Sequence, residues 1–212
     1  MPPEEAGWCV WGWQPNIIVA AAALPAKSLA DVIALSRKRK LSFGSPGHGS
    51  MGHLAAAYLF NILAKSDILH VPYSGAAPAL TAAVGGQVEL AGMTLPPAVP
   101  HVRAGKVKAI AVTSAKRAST LPEVPTVAES GFPGYEVNVF SGFFMPAGTP
   151  KPAVDRFYQA VLKVMAMADV KEQLATLGFE PADTSHDEFR RLVSEEVRKW
   201  AKVLAATNIK FE

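Results

Sequence analysis

The stretch that decides the fold is a glycine-rich loop, which reads Phe43-Gly44-Ser45-Pro46-Gly47-His48-Gly49-Ser50-Met51-Gly52-His53. The residues before Gly44 predict a short strand, and Ser50 is placed to cap the helix that follows. Glycines let a ligand approach the backbone closely, and the amides and dipole at a helix start favour an anion. The loop therefore suits a carboxylate or a phosphate. A tight turn that needs glycine, followed by a serine that only caps the helix, gives the same pattern.

A second loop of the same kind follows the predicted strand at residues 68–71 and leads into a helix predicted from Ala77. In parallel sheets, ligands bind beyond the carboxyl ends of the strands, so both loops are expected at one edge. Tyr73 fits a wall of such a site, and it fits a lid over the core equally well. The predicted ligand contacts in the two loops are Ser45, Gly47, His48, Gly49, Ser50, Tyr73, Ser74, Gly75, Ala76 and Ala77.

Two enzyme motifs overlap the first loop, and both are incomplete. Gly47-x-Gly49-x-x-Gly52 matches the dinucleotide fingerprint, but Asp67 precedes the next strand instead of ending it, where an acid would hold the ribose. The hydrolase elbow G-x-S-x-G has His48 in place of its first glycine, and His53 shares a helix with Ser50, a poor position for a base. No catalytic residue is predicted. A small α/β enzyme that binds a phosphate-bearing cofactor at 47–52 remains the alternative to a binding protein.

The histidines do not predict a metal site. None of them shows the H-x-x-x-H spacing or a comparable ligand spacing. His70 lies inside a predicted strand, where a hydrogen-bonded sheet or core residue is expected. Neither a metal nor a cofactor is therefore predicted. The five histidines are His48, His53, His70, His101 and His186.

The order of predicted elements indicates an α/β fold. Strands and helices alternate over residues 16–140, which is typical of a mostly parallel sheet. From residue 149 the pattern becomes helical, with apolar stripes near 150–168 and 186–206 that need a sheet or a partner to cover them. Residues 1–15 hold three of the four tryptophans without a clear period and are interpreted as an atypical tail.

Composition and charge exclude several classes of protein. Half of the residues are hydrophobic and the net charge is only +3, which indicates a globular chain and gives no support for nucleic-acid binding. Cys9 is the single cysteine, so no internal disulfide is expected. No apolar run reaches the ~18 residues that a membrane helix needs. The first residues lack the basic and apolar pattern of a signal peptide.

The motifs taken together resemble the Bug family, the solute receptors of tripartite tricarboxylate transporters. The resemblance covers residues 16–212 in unbroken order, so the series is specific although each motif alone is weak. It implies a type II periplasmic-binding-protein fold, with 16–140 as the second lobe and 141–212 as the returning part of an incomplete first lobe. The matching motifs are Gly44-Ser45-x-Gly47-x-Gly49-Ser50-x-x-His53, His70-Val71-Pro72-Tyr73-x-Gly75-x-x-Pro78-Ala79, Gly85-Gly86-Gln87-Val88, Ala111-Val112-Thr113-Ser114-x-Lys116-Arg117, Leu121-Pro122-x-Val124-Pro125-Thr126-Val127-x-Glu129 and Pro146-Ala147-Gly148-Thr149-Pro150.

The resemblance also implies a function without catalysis. It implies a periplasmic protein that captures a small organic carboxylate for a membrane permease. Many members have an aromatic-Asp-Asn sequence where this chain has Gly92-Met93-Thr94, so Met93 and Thr94 are added to the predicted ligand contacts. The loss of that acid favours plain or aromatic carboxylates over amino acids.

The family's N-terminal glycine-rich loop has no counterpart in this chain, so a truncated, open site is expected. Such a site predicts weak binding, on the order of millimolar. A remnant that no longer binds, or a homodimer that covers the first-lobe surface, remains possible. The surface expected for that dimer includes Phe157, Val161, Val193, Val197, Trp200 and the strand near Val139.

Overall fold

The computed structural model describes residues 7–146, 148–176, 178–181 and 184–207. The first six residues of the predicted tail lie outside this range. The strands are β1 (Gly7–Ala21), β2 (Leu41–Ser45), β3 (Ile68–Pro72), β4 (Leu90–Thr94), β5 (Val107–Val112), β6 (Asn138–Phe144) and β7 (Glu180–Pro181). The helices are α1 (Leu29–Ser36), α2 (Met51–Ala57), α3 (Ala76–Val84), α4 (Leu95–Arg103), α5 (Lys151–Ala166), α6 (Ala168–Thr176) and α7 (His186–Thr207). A π-helical turn, Tyr58–Leu63, continues α2.

The described residues form two compact units. The larger unit contains residues 15–139 and 203–207, and the smaller unit contains residues 7–14 and 140–202. Strand β1 contributes its first half to the smaller unit and its second half to the larger one.

The larger unit is built on a sheet with the strand order β3-β2-β4-β1-β5. Strands β2, β3 and β4 are parallel, whereas β1 is antiparallel to both β4 and β5. Strand β5 therefore runs parallel to β2, β3 and β4, so the sheet is mostly parallel, as expected, with β1 as the antiparallel strand within it. The local pattern did not reveal the direction of β1, because a buried apolar run such as Ile17–Ala20 has no polarity of its own.

Burial explains why the strands and helices of the larger unit assemble. On one face of the sheet, Ile17 and Val19 pack against α3 and α4. Neither Ile17 nor Val19 is exposed to solvent. Alternation along β1 therefore places Ile18 on the opposite face. Strand β1 is therefore buried on both faces, as its continuous apolar run requires. The apolar core on the α3 and α4 face includes Ala79, Leu80, Val88, Ala91, Leu95, Ala98, Val112 and Leu121.

The smaller unit contains β6, β7 and the late helices α5, α6 and α7, and both strands pair with β1. Aromatic rings hold it together, because Trp11 lies 4.9 Å from Phe179 and Phe143 lies 5.3 Å from Phe157 between ring centroids. Residues 7–14 are thus part of a strand instead of a separate tail. Among the described residues, no helix has both the length and the apolar character needed to cross a membrane.

The helices of the chain are capped in different ways. Ser28 caps α1 through a capping box. Ser185 and Glu188 exchange the hydrogen bonds of a capping box before α7. Pro150 occupies the cap position of α5, and the nearby Thr149 hydroxyl donates to the carbonyl of Pro146.

Candidate binding site

The two predicted loops lie at one edge of the sheet of the larger unit. Ser45 at the end of β2 pairs in register with Pro72 at the end of β3, and β4 runs parallel to β2 and ends at Thr94. The connection after β2 leads to β3 at one edge of the sheet, whereas the connection after β4 leads to β5 at the opposite edge. Such a reversal of strand order opens a crevice at the carboxyl ends of the strands, where α/β proteins bind ligands.

The first loop is organised by the hydroxyl of Ser45, a residue with no exposed surface. This hydroxyl donates to the carbonyl oxygen of Gly47 at 2.9 Å, and it lies 2.7 Å from Nε2 of His70. Gly47 has φ 146° and Gly49 has φ 73°, both in the region that favours glycine. The Ser50 hydroxyl accepts from the backbone N–H of His53 and so caps α2 as predicted. Ser45 is a positioning residue of the loop.

The start of α2 is held against the sheet by close backbone packing. A Cβ on Gly52 would overlap the carbonyl oxygen of Gly92 in β4, and a Cβ on Gly92 would overlap the ring of Phe43. The phenol of Tyr135 donates to the carbonyl of Ala55 at 2.9 Å and fixes the helix further along. These contacts aim the first turn of α2 at the carboxyl edge.

The second loop is tied directly to the first. The backbone N–H of Tyr73 donates to the carbonyl of Ser45 at 2.9 Å. The side chain of Tyr73 is half-buried and packs against Gly44 and the apolar core, which agrees with the lid interpretation of this residue. Gly75 caps α3 without a side-chain hydrogen bond and has φ 151°. Exposed Ser74 precedes it, and the amides of Ala76 and Ala77 form the first turn of α3.

The available amide donors differ in part from those expected. The N–H groups of Gly47, Gly49 and Ser50 already bond within the loop, to Ser45 Oγ, His53 Nδ1 and the Gly47 carbonyl. First-turn amides have no partner within a helix. Beyond the loop, the donors suited to an anion are therefore at the beginnings of the two helices, Met51 and Gly52 in α2 and Ala76 and Ala77 in α3.

Three histidines also converge at this edge, which the spacing in the sequence did not predict. The rings of His53 and His70 are stacked, with centroids 3.6 Å apart and planes 3° apart. The ring of His48 lies 4.8 Å from that of His53 and 5.8 Å from that of His70. The cluster could have been anticipated only from the predicted order of elements. His48 and His53 lie on either side of the Ser50 helix cap, and His70 lies on the neighbouring strand.

Burial sets the protonation state of the stacked pair. Burial and the neighbouring imidazoles lower the pKa of His53 to about 4. Burial and His48 lower the pKa of His70 to about 4 as well. Both rings are therefore neutral at pH 7.

His53, His70 and Asn61 line a small cavity of about 30 Å³ beneath α2, which is large enough for one water molecule.

The two predicted contacts on β4 differ in outcome. The side chain of Met93 has no exposed surface and packs in the apolar core on the α3 and α4 face, so the structure does not support it as a ligand contact. Thr94 is half-buried at the cap position of α4, and its hydroxyl makes no capping hydrogen bond. Thr94 stays a predicted contact at the crevice.

Comparison with known proteins decides the family. Residues 12–209 match the Tripartite tricarboxylate transporter family receptor. The chain belongs to this family. A curated relative, the UPF0065 protein in the tcbD-tcbE intergenic region of Pseudomonas sp. (strain P51), is 36% identical over 193 residues, which are 90% of this chain and 57% of that protein. The chain thus spans less than two thirds of this relative.

Similar solved structures confirm the fold class. R. palustris Rpa4515 with adipate is 33% identical with a TM-score of 0.87, over 97% of this chain and 69% of that one. MatC (Rpa3494) from Rhodopseudomonas palustris with bound malate is 32% identical with a TM-score of 0.83, over 96% and 71%. The predicted resemblance and the type II periplasmic-binding-protein fold are both confirmed.

Membership of a receptor family sets aside the enzyme alternative. The hydrogen bond between Ser45 Oγ and His70 Nε2 has the length found in nucleophile–base pairs. Ser45 has no exposed surface, however, and its hydroxyl donates to a loop carbonyl. An imidazole with a pKa of about 4 is also a weak base at neutral pH. The pair organises the loop and does not attack a substrate.

Proposed function

We propose that this chain captures a small organic carboxylate as part of an extracytoplasmic receptor of a tripartite tricarboxylate transporter. The observation that carries the proposal is the alignment of two helix starts on hydrogen-bonded neighbouring strands. The Tyr73 N–H···O=C Ser45 bond joins the two loops that lead into α2 and α3. One anion can therefore interact with both helix starts.

The chemistry of these helix starts suits a carboxylate. Neither α2 nor α3 has an acidic residue in its first turn, so no fixed negative charge repels the ligand. Two helix dipoles and the amides of Met51, Gly52, Ala76 and Ala77 supply positive potential and hydrogen bonds. Gly75 leaves the start of α3 without a side-chain cap that would compete for these amides.

The ligand class follows from the same edge of the sheet and from the relatives. The adipate and malate complexes of the two R. palustris proteins support a dicarboxylate. Gly92-Met93-Thr94 provides no acid to pair with an amino group, which favours plain acids over amino acids. The half-buried hydroxyl of Thr94 is suited to a ligand hydroxyl.

The partners and the compartment belong to the same proposal. We expect a periplasmic location and docking to the transporter's membrane permease, because family members are receptors of that transporter. A second copy of the chain is proposed as a further partner, through exposed apolar side chains of the smaller unit such as Phe144 and Val197.

Isothermal titration calorimetry of the purified chain with malate and adipate tests the proposal. The informative variant is Ala76→Pro, because proline is tolerated at the first position of a helix but has no N–H. Ala168→Pro is the matched control, since exposed Ala168 is the first residue of α6 in the smaller unit.

We expect saturable binding of at least one dicarboxylate, and the uncharged diamide of the same acid is expected not to bind. Ala76→Pro should weaken binding by about 1.5–3 kcal/mol, the usual contribution of a hydrogen bond to a charged group. Ala168→Pro should leave the affinity unchanged. Absence of saturable dicarboxylate binding by the folded chain would refute the proposal.

A further inference from the structure

The histidine cluster brings three imidazoles together from three separate elements. His48 lies in the glycine-rich loop, His53 in α2 and His70 in β3. One ring nitrogen from each lies within 4.8 Å of the others. Three of the five histidines of the chain therefore meet at one place.

The hydrogen bonds of the cluster indicate which ring nitrogen carries the lone pair in His53 and in His70. Nδ1 of His53 accepts from the N–H of Gly49 at 3.0 Å, so this nitrogen carries no proton. The Ser45 hydroxyl donates to the Gly47 carbonyl, so Nε2 of His70 acts as the donor to Ser45 and its Nδ1 carries the lone pair. A metal-binding histidine usually donates its other ring N–H to an oxygen in this way.

We propose that His48, His53 and His70 form a binding site for a divalent transition metal, Zn²⁺ in the first place. Imidazole nitrogens suit zinc, copper and nickel, whereas magnesium and calcium prefer oxygen ligands. Three histidines leave a fourth tetrahedral position open to solvent beside exposed His48. The site does not depend on the capture of a carboxylate.

Metal binding requires a defined local rearrangement. A nitrogen ligand binds a metal within the plane of its ring, so the parallel rings of His53 and His70 cannot both bind one ion until one ring tilts out of the stack. The ion also replaces the Gly49 N–H at Nδ1 of His53. His48 stands between Gly47 and Gly49, and glycine restricts the backbone on either side of it less than other residues would.

Calorimetric titration of tag-free protein with ZnCl₂ at pH 7.5 tests the proposal. Absorption of the Co²⁺ form provides an independent readout, because tetrahedral nitrogen coordination gives visible bands that surface binding does not. The main variant is His48→Ala, since His48 is exposed and its loss should not impair folding. His101→Ala, a change in α4 outside the cluster, is the matched control.

We expect one Zn²⁺ per chain, at least about tenfold weaker binding in His48→Ala, and unchanged binding in His101→Ala. The visible Co²⁺ bands should disappear in His48→Ala. Equal Zn²⁺ affinity of the wild type and His48→Ala, or no saturable Zn²⁺ binding by the wild type, would overturn the proposal. A test of carboxylate binding by the zinc-free wild type separates this result from the proposed receptor function.

Discussion

Gly52 in α2 packs directly on the backbone of Gly92 in β4, so closely that a Cβ on Gly52 would overlap the Gly92 carbonyl oxygen. This contact joins the helix that starts at the binding loop to a central strand of the sheet. The position of the amides proposed to bind the anion therefore depends on a residue without a side chain.

Substitution of Gly52 by alanine should destabilise the chain. The added methyl group has no space against the β4 backbone, and overpacking of this kind costs about 1–3 kcal/mol. Gly85→Ala is the matched control, because Gly85 has ordinary helical dihedral angles and an added Cβ would meet only contacts of 3.4 Å or more. Urea unfolding measures both variants, and equal stability of the two would contradict this account of the packing.

Ser50→Ala should affect both stability and ligand binding. Its hydroxyl caps α2 by accepting from the His53 N–H at 3.3 Å, and loss of a cap costs about 1 kcal/mol. If the hydroxyl also binds the ligand, carboxylate affinity should fall by about 1–3 kcal/mol. Ser28→Ala removes a cap from α1 away from the loop. It should lower the melting temperature but not the affinity, and calorimetry on both variants distinguishes the two roles of Ser50.

The free energy of unfolding should depend on Glu89 at acidic pH. Burial opposes ionisation of this carboxylate, but hydrogen bonds from Arg39 and Ser42 outweigh it and lower its pKa to about 2. Because this folded-state pKa lies below the ordinary value of 4.5, the contribution is complete above pH 4.5 and is lost as the pH falls toward 2. Glu89→Gln should reduce the slope of stability against pH in that window. Glu123→Gln, at an exposed position, should retain it.

The smaller unit should promote self-association. Phe144 is 62% exposed, Val197 61% and Val164 48%, which is unusual for large apolar side chains. The expected participation of Trp200 is not supported, since only 9% of this residue is exposed. Light scattering should show a mass that rises with concentration and falls in Val197→Glu. Leu69→Glu is the control, an equally exposed site in the larger unit. A concentration-independent monomer mass would contradict the prediction.

Much of the fold was predictable because local signals agreed with one another. The strand, glycine-rich turn and Ser50 cap place the first loop correctly, and the strand predicted at 68–71 differs from β3 by one residue. The direction of β1 was not predictable, because pairing partners distant in sequence determine it. The π-helical turn after α2 was also missed, since Tyr58–Leu63 has an ordinary helical composition.

The site was only partly predictable, because distances across strands decide its chemistry. His70 was expected to be a hydrogen-bonded residue of the sheet, and it does bond to Ser45. Its stacking on His53 arises from the pairing of β2 with β3 and the placement of α2, neither of which is encoded in histidine spacing. Met93 was misjudged for a similar reason, since the face of β4 on which it lies was not known.

Chemical-shift mapping of the ¹⁵N-labelled chain with malate or adipate tests the central claim most directly. If the two helix starts form the carboxylate site, saturable shifts should concentrate at the amides of Met51, Gly52, Ala76 and Ala77, and weaken in Ala76→Pro. Shifts that never saturate, or that concentrate in the smaller unit around α5 and α7, would contradict the account.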